Sequence, residues 1–137
     1  MEKKYLIGVP EMDEQHATLF DLLARTKYPD LQWHEIQRIV IDLLDYSIKH
    51  LDMEEAFLKK NGLGWFVVGH EKLHIDFRSH AMDLYQKLRE TEGLESQKAL
   101  LISISDFCEA WLKNHIDIED RRYAALLRKP GGKNEVA

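Results

Sequence analysis

The sequence predicts an all-α fold, an up-down-up-down antiparallel four-helix bundle with an extended N-terminal arm. Apolar residues recur with the helical period along most of the 137 residues, and the alternation typical of strands is absent. Turn signals at Pro29-Asp30, Asn61-Gly62 and Gly93 divide the chain into four helical stretches. Because the connections between these stretches are short, we expect consecutive helices to pack antiparallel.

The N-terminal part is predicted to be an arm followed by the first helix. Residues 1–12 are assigned to the arm, because Gly8 and Pro10 discourage helix formation. The first helix is predicted over about 13–27, with Asp13 as its N-cap.

Three further helices are predicted over about 33–60, 65–90 and 95–128. The apolar rhythm of the second helix continues directly to His50, and Asn61-Gly62 is a C-cap signal. The length of the chain predicts a single domain over residues 1–137.

Composition excludes several classes of function. The net charge is -5 and no basic stripe is evident, so nucleic-acid binding is not expected. No apolar run reaches about 18 residues, so no membrane span is expected, and the N-terminus lacks the apolar stretch of a secretory signal. The single cysteine, Cys108, cannot form an internal disulfide, which fits a cytoplasmic location. Cys108 is expected to be a small core residue.

Histidines and carboxylates recur in four short segments, one on each predicted helix. The segments are D-x-Q-H ending at His16, H-x-x-x-E at His50 and Glu54, H-x-x-x-H at His70 and His74, and H-x-x-x-x-D at His115 and Asp120. Residues four apart on a helix share one face, with Cβ atoms about 5–6 Å apart. Five imidazoles and two carboxylates are too many for one metal ion and suit two ions inside a bundle. The alternative, a hydrogen-bonded polar core without metal, is disfavoured because burying unpaired charge is costly.

The step from His115 to Asp120 does not fit a regular helix. Residues five apart diverge by about 140° at about 3.6 residues per turn. If both side chains reach the same site, the fourth helix must be distorted between them, and a π-type bulge is the expected form.

In this order, the four segments resemble the hemerythrin family and, within it, the bacteriohemerythrins. The similarity extends from about Tyr5 to Tyr123. Flanking residues agree as well, in the run GVPEMDEQH that ends at His16 and the run WLKNHI that ends at Ile116.

The resemblance implies a cofactor of two iron ions with a bridging oxo or hydroxo group. One iron would be bound by His70, His74 and His115, and the other by His16 and His50, with Glu54 and Asp120 bridging the pair. The second iron would keep one open position, where O₂ binds. The implied O₂ pocket is formed by Leu51, Trp111, Leu112 and Ile116, and Leu51 stands where animal members often carry Phe.

The leading hypothesis is a non-enzymatic O₂-binding protein for oxygen storage, delivery to an oxygen-requiring enzyme, or sensing. A ligand set with only two carboxylates carries little negative charge, which favours the ferrous state and makes O–O cleavage harder. Three alternatives stay open: a di-iron oxidase, peroxidase or nitric-oxide-handling enzyme, an iron- or O₂-responsive signalling module, and a metal-free structural bundle. The donor set would also accept manganese or zinc in place of iron.

Overall fold

A computed structural model describes residues 2–128 of the chain. A 3₁₀ turn over Lys3–Tyr5 precedes the helices, and no strand occurs within these residues. The helices are α1 (Pro10–Arg25), α2 (Trp33–Lys60), α3 (Gly64–Glu90), α4 (Leu94–Asn114) and, after a π-helical turn over His115–Asp120, α5 (Arg121–Arg128). The structure confirms the predicted four-helix bundle, in which α2 packs against α1, α3 and α4.

The first helix begins at Pro10, three residues before the predicted start, so the arm is shorter than 1–12. Proline stabilises the first turn of a helix, because its missing N–H would lack a partner there anyway. The N-cap position belongs to Val9, and the prediction that Asp13 is the N-cap is wrong. The Asp13 carboxylate instead accepts hydrogen bonds from the backbone N–H groups of Ile7 and Gly8, at 2.8 and 3.1 Å. Asp13 thereby fastens the arm to α1.

The remaining bounds differ little from prediction, except in the fourth helix. The α2 helix spans the predicted residues, and α3 and α4 each begin one residue earlier than expected. The continuous helix predicted over 95–128 is interrupted, because α4 ends at Asn114 and a π-helical turn follows. The predicted irregularity between His115 and Asp120 is therefore confirmed. A π-turn is hydrogen-bonded from residue i to i+5, so it returns residues five apart to the same side.

The interior is mainly apolar, and buried histidines and carboxylates from four elements interrupt it. Leucine, isoleucine and valine side chains from α1 to α4 form most of the core, and α5 adds Tyr123 and Ala124. Cys108 is buried within it, as predicted. None of the helices in the described part of the chain is long and apolar enough to span a bilayer.

Candidate metal centre

Six of the seven predicted ligands meet in the interior of the bundle, and none of the six is more than 5% exposed. They come from four elements, with one from α1, two from α2, one from α3 and two from the π-turn. In chain order they are His16, His50, Glu54, His74, His115 and Asp120.

Their side chains form two groups that share one carboxylate. In each group, the atoms that could bind a metal lie within 4.8 Å of one another. The first group contains His16, His50, Glu54 and Asp120, and the second contains Glu54, His74 and His115.

Each carboxylate faces both sets of histidines. Glu54 places Oε2 3.4 Å from His50 Nε2 and Oε1 2.9 Å from His115 Nε2. Asp120 places Oδ2 2.9 Å from His16 Nε2 and Oδ1 3.1 Å from His115 Nε2. Each carboxylate therefore directs one oxygen toward the histidines of the first group and its other oxygen toward those of the second. Two bridged metal ions require this arrangement.

Several of these atoms lack hydrogen bonds within the described residues. Both ring nitrogens of His16, Nε2 of His50 and both oxygens of Asp120 are buried without a hydrogen-bond partner there. The short contacts between Asp120 and the histidines do not have hydrogen-bond angles. Buried polar atoms without partners are costly, and cations bound in the cluster would satisfy His16 Nε2, His50 Nε2 and the two Asp120 oxygens. The residues present therefore fit a metal site.

Burial keeps two of the imidazoles neutral. Desolvation lowers the pKa of His16 from 6.5 to about 4, and it also lowers the pKa of His50. A histidine binds metal through a neutral ring, so both side chains are ready to do so at neutral pH.

Glu54 and His115, on the side of the centre away from His16, form a charged pair when no metal is bound. Burial raises the pKa of Glu54, but the charge of His115 and hydrogen bonds from His115 and His50 outweigh it and hold that pKa well below its usual range. Burial lowers the pKa of His115, but the nearby Asp120 and Glu54 outweigh it and raise that pKa to about 9. Burial and the Glu54 charge raise the pKa of Asp120 well above its usual range. Glu54 is therefore the anion and His115 the cation of this pair.

Outer hydrogen bonds orient three of these groups. Nδ1 of His50 donates to Gln15 Oε1 at 2.7 Å, and Nδ1 of His74 donates to Glu55 Oε1 at 2.7 Å. Both bonds fix the ring so that Nε2 presents its lone pair to the interior. The buried Tyr123 hydroxyl donates to Glu54 Oε2 at 3.3 Å.

Sequence reasoning assigned none of these partners. A signal was present for two of them, because Gln15 and Glu55 each directly adjoin a predicted ligand in the chain.

His70 stands apart from both groups within the residues that the structure describes. Its Nδ1 lies 2.5 Å from Glu119 Oε2, and its side chain is 18% exposed. The ring packs on Phe66, with centroids 4.3 Å apart. The role of His70 as a ligand stays a prediction.

A small cavity adjoins the centre on the side of His50. The centre of a water-sized sphere can move within a volume of about 10 Å³ in this cavity, which leaves room for roughly one small molecule. The walls are mostly apolar and comprise Leu19, Leu23, Leu43, Ser47, His50, Phe77, Cys108, Trp111 and Leu112. Two predicted pocket residues, Trp111 and Leu112, are among them. The other two, Leu51 and Ile116, are fully buried but do not line this cavity.

Comparisons with known proteins agree with this geometry. The family model described as the Hemerythrin HHE cation binding domain matches residues 7–127. A protein of Clostridium acetobutylicum named Bacteriohemerythrin is 26% identical over 131 residues, covering 88% of this chain and 94% of the relative. A protein of the same name from Pseudomonas paraeruginosa is 24% identical over 123 residues, covering 88% and 76%. No solved structure gives a significant match.

Proposed function

The chain belongs to the hemerythrin family, and from this membership we propose that it binds O₂ reversibly at a centre of two iron ions. The proposed ligands of one iron are His16 and His50, and those of the other are His70, His74 and His115. Glu54 and Asp120 would bridge the two ions together with an oxo or hydroxo group. When bound, the ferrous pair supplies the electrons that reversible O₂ binding needs.

The observation that carries this proposal is the placement of the two carboxylates. Glu54 and Asp120 each direct one oxygen toward the histidines of each set, at separations between 2.9 and 3.4 Å. The buried His50 Nε2 and Asp120 oxygens that lack hydrogen bonds within residues 2–128 support the same conclusion. A purely structural polar core would pair these atoms with one another.

The residues around His50 are suited to protecting a small apolar ligand. His50 lines the cavity, and Gln15 holds its ring in a fixed orientation. Leu112 and Trp111 form apolar walls that exclude water and stray protons. We therefore propose a non-enzymatic role in the cytoplasm, in oxygen storage, in delivery to an oxygen-requiring enzyme, or in sensing.

The absorption spectrum of the iron-loaded protein tests this function. The protein is reduced without air, exposed to air and then deoxygenated, and its iron content is measured. We expect two irons per chain and a charge-transfer band that appears with O₂ and disappears on its removal. The Glu54→Ala variant should lose both iron and band, whereas Glu14→Ala, a change of an exposed residue on α1, should keep them.

Other outcomes would replace the proposal. Irreversible conversion to a ferric spectrum would favour an oxidase or peroxidase on the same scaffold. Purified protein that takes up no iron would favour a structural bundle.

A further inference from the structure

One face of α3 presents large apolar side chains to solvent. Four of them are between 49% and 72% exposed, namely Trp65, Val68, Ile75 and Met82. Single exposed apolar residues are common on protein surfaces, but a row of them on one element is typical of an interaction site. We call these four residues the outer stripe.

The spacing of the outer stripe is that of a contact between two helices. Val68, Ile75 and Met82 follow one another at intervals of seven residues, and Trp65 precedes Val68 by three. Side chains at these intervals form one seam along a helix, which packs against the seam of a second helix. The buried Phe77 comes nine residues after Val68 and therefore lies about 180° away around the helix. Because the outer stripe faces directly away from the core, the other described helices of the same chain cannot cover it.

We propose that the outer stripe is the interface of a homodimer, in which α3 packs antiparallel against α3 of a second copy. Closed dimers with two-fold symmetry are the commonest oligomers, and their interface pairs one surface with itself. The two-fold axis would pass close to Ile75. Residues equally far on either side of the axis then lie opposite each other, so that Val68 of each copy meets Met82 of the other.

The charges along the stripe favour a second copy in this orientation. Lys72 and Asp76 are exposed and lie on one edge of the stripe, close to the proposed axis. Lys72 of each copy would meet Asp76 of the other, and the symmetry would form this ion pair twice. On the opposite edge, Glu71 of each copy would meet Arg78 of the other, which is 26% exposed. A parallel pair would instead place Lys72 beside Lys72 and Glu71 beside Asp76, where like charges repel.

The size of the stripe sets the expected strength of the dimer. It extends over residues 65–82, which is about 26 Å along the helix axis. A contact between two single helices of this length is near the lower limit of specific interfaces, about 1,000 Å². Each chain also has a net charge of -5, so the two copies repel each other at long range. We therefore expect a dissociation constant in the micromolar range.

Sedimentation velocity of the full-length protein between about 1 and about 300 μM tests the proposal, because the mass of a weak dimer depends on concentration. We expect the wild-type mass to rise from that of one chain toward that of two. Ile75→Glu places two carboxylates near the axis and should raise the dissociation constant at least about tenfold. The matched control is Ile102→Glu, the same change at an isoleucine on α4 that is 62% exposed, and it should dimerise as the wild type does. Circular dichroism checks that both variants fold.

A pair of charge variants tests the predicted ion pairs. Lys72→Asp and Asp76→Lys should each dimerise more weakly than the wild type, because acid then meets acid or base meets base. An equimolar mixture of the two variants should form a heterodimer, in which every such pair again joins opposite charges.

A pair of cysteine variants tests the orientation. Under mild oxidation, a mixture of Val68→Cys and Met82→Cys should form a disulfide between chains, whereas Val68→Cys alone should not. The natural Cys108 is buried and does not compete.

Several results would overturn the proposal. A wild type that stays monomeric at the highest concentration would show that the outer stripe does not bind a second copy. A dimer that survives Ile75→Glu, or is lost in Ile102→Glu, would place the contact on another surface. A disulfide in Val68→Cys alone would show a parallel pair. All of these measurements report mass or cross-linking, so the proposed O₂-binding function is tested separately.

Discussion

His115 and Asp120 lie five residues apart in the chain, yet His115 Nε2 is 3.1 Å from Asp120 Oδ1. A regular α-helix would direct these side chains about 140° apart. The π-turn over His115–Asp120 removes that divergence, and both side chains enter the same buried cluster. Single π-turns of this kind are frequent at functional sites, where they redirect a side chain that an α-helix would point elsewhere.

The Asp120→Asn variant tests whether this geometry serves metal binding. The amide keeps the shape of the side chain but loses the charge that would bridge two ions. We expect iron content to fall below two per chain and the stabilisation of the fold by added metal to be largely lost. Metal analysis and thermal unfolding with and without metal measure both effects. Asp106→Asn, at an exposed position on α4, is the control, and two tightly bound irons in Asp120→Asn would contradict a bridging role.

Metal affinity is predicted to rise with pH from about 6.5 to 9. The pKa of His115 is raised to about 9 because Asp120 and Glu54 outweigh burial, so in the metal-free protein the ring is protonated over most of this range and about half protonated at its upper end. A metal ion must displace that proton, and its apparent affinity should rise about tenfold per pH unit for each proton released. The groups that face His115 are Glu54 from α2, His74 from α3 and Asp120 from the π-turn.

Co²⁺ titrations between pH 6 and 9, with proton release measured in weak buffer, check this expectation. The pKa of His16 is lowered by burial to about 4, so His16 should release no proton in the same range. His34→Gln, a change of an exposed histidine, should leave the slope unchanged. An affinity that is constant between pH 6.5 and 9 would show that His115 is already neutral or is not a ligand.

The fold followed from the apolar period because that period alone decides which face of each helix is buried. The start of α1 was missed because Pro10 was interpreted as a breaker, although a proline at the first helical position stabilises the turn. Asp13 was then assigned the wrong role. Its carboxylate binds the arm through the N–H groups of Ile7 and Gly8, which depends on where the arm folds back.

The parts of the candidate site that lie on a single helix could be predicted from helical spacing. Spacing placed His50 and Glu54 on one face and required a distortion after His115. It could not pair His74 with Glu55, because these residues lie 19 positions apart on different helices and meet only through packing. The pairing of Glu119 with His70 was hidden for the same reason.

Removing Glu55 should weaken metal binding although we do not propose it as a ligand. It accepts the hydrogen bond from His74 Nδ1, and Arg78 donates to the same oxygen at 3.3 Å and to Asp52 at 2.6 Å. Loss of such an outer partner typically costs 10–100-fold in affinity. We expect a graded effect, with Glu55→Ala largest, Arg78→Ala smaller and Asp52→Ala near wild type because Asp52 is 65% exposed. Calorimetric Co²⁺ titration of the three variants would measure the series, and equal affinities would show that the network does not orient His74.

The Leu112→Ala variant separates the role of the cavity from the stability of the core. Leu112 is 3% exposed and lines the cavity next to His50, so its truncation should cost about 2–5 kcal/mol in the free energy of unfolding. Leu101→Ala is the matched control, since Leu101 is 5% exposed on the same helix but does not line the cavity. Chemical denaturation should show similar losses of unfolding free energy for both variants.

The rate at which the oxygenated protein oxidises irreversibly should rise only in Leu112→Ala, because only that change admits water beside His50. Equal oxidation rates in the two variants would mean that this cavity does not shield bound O₂.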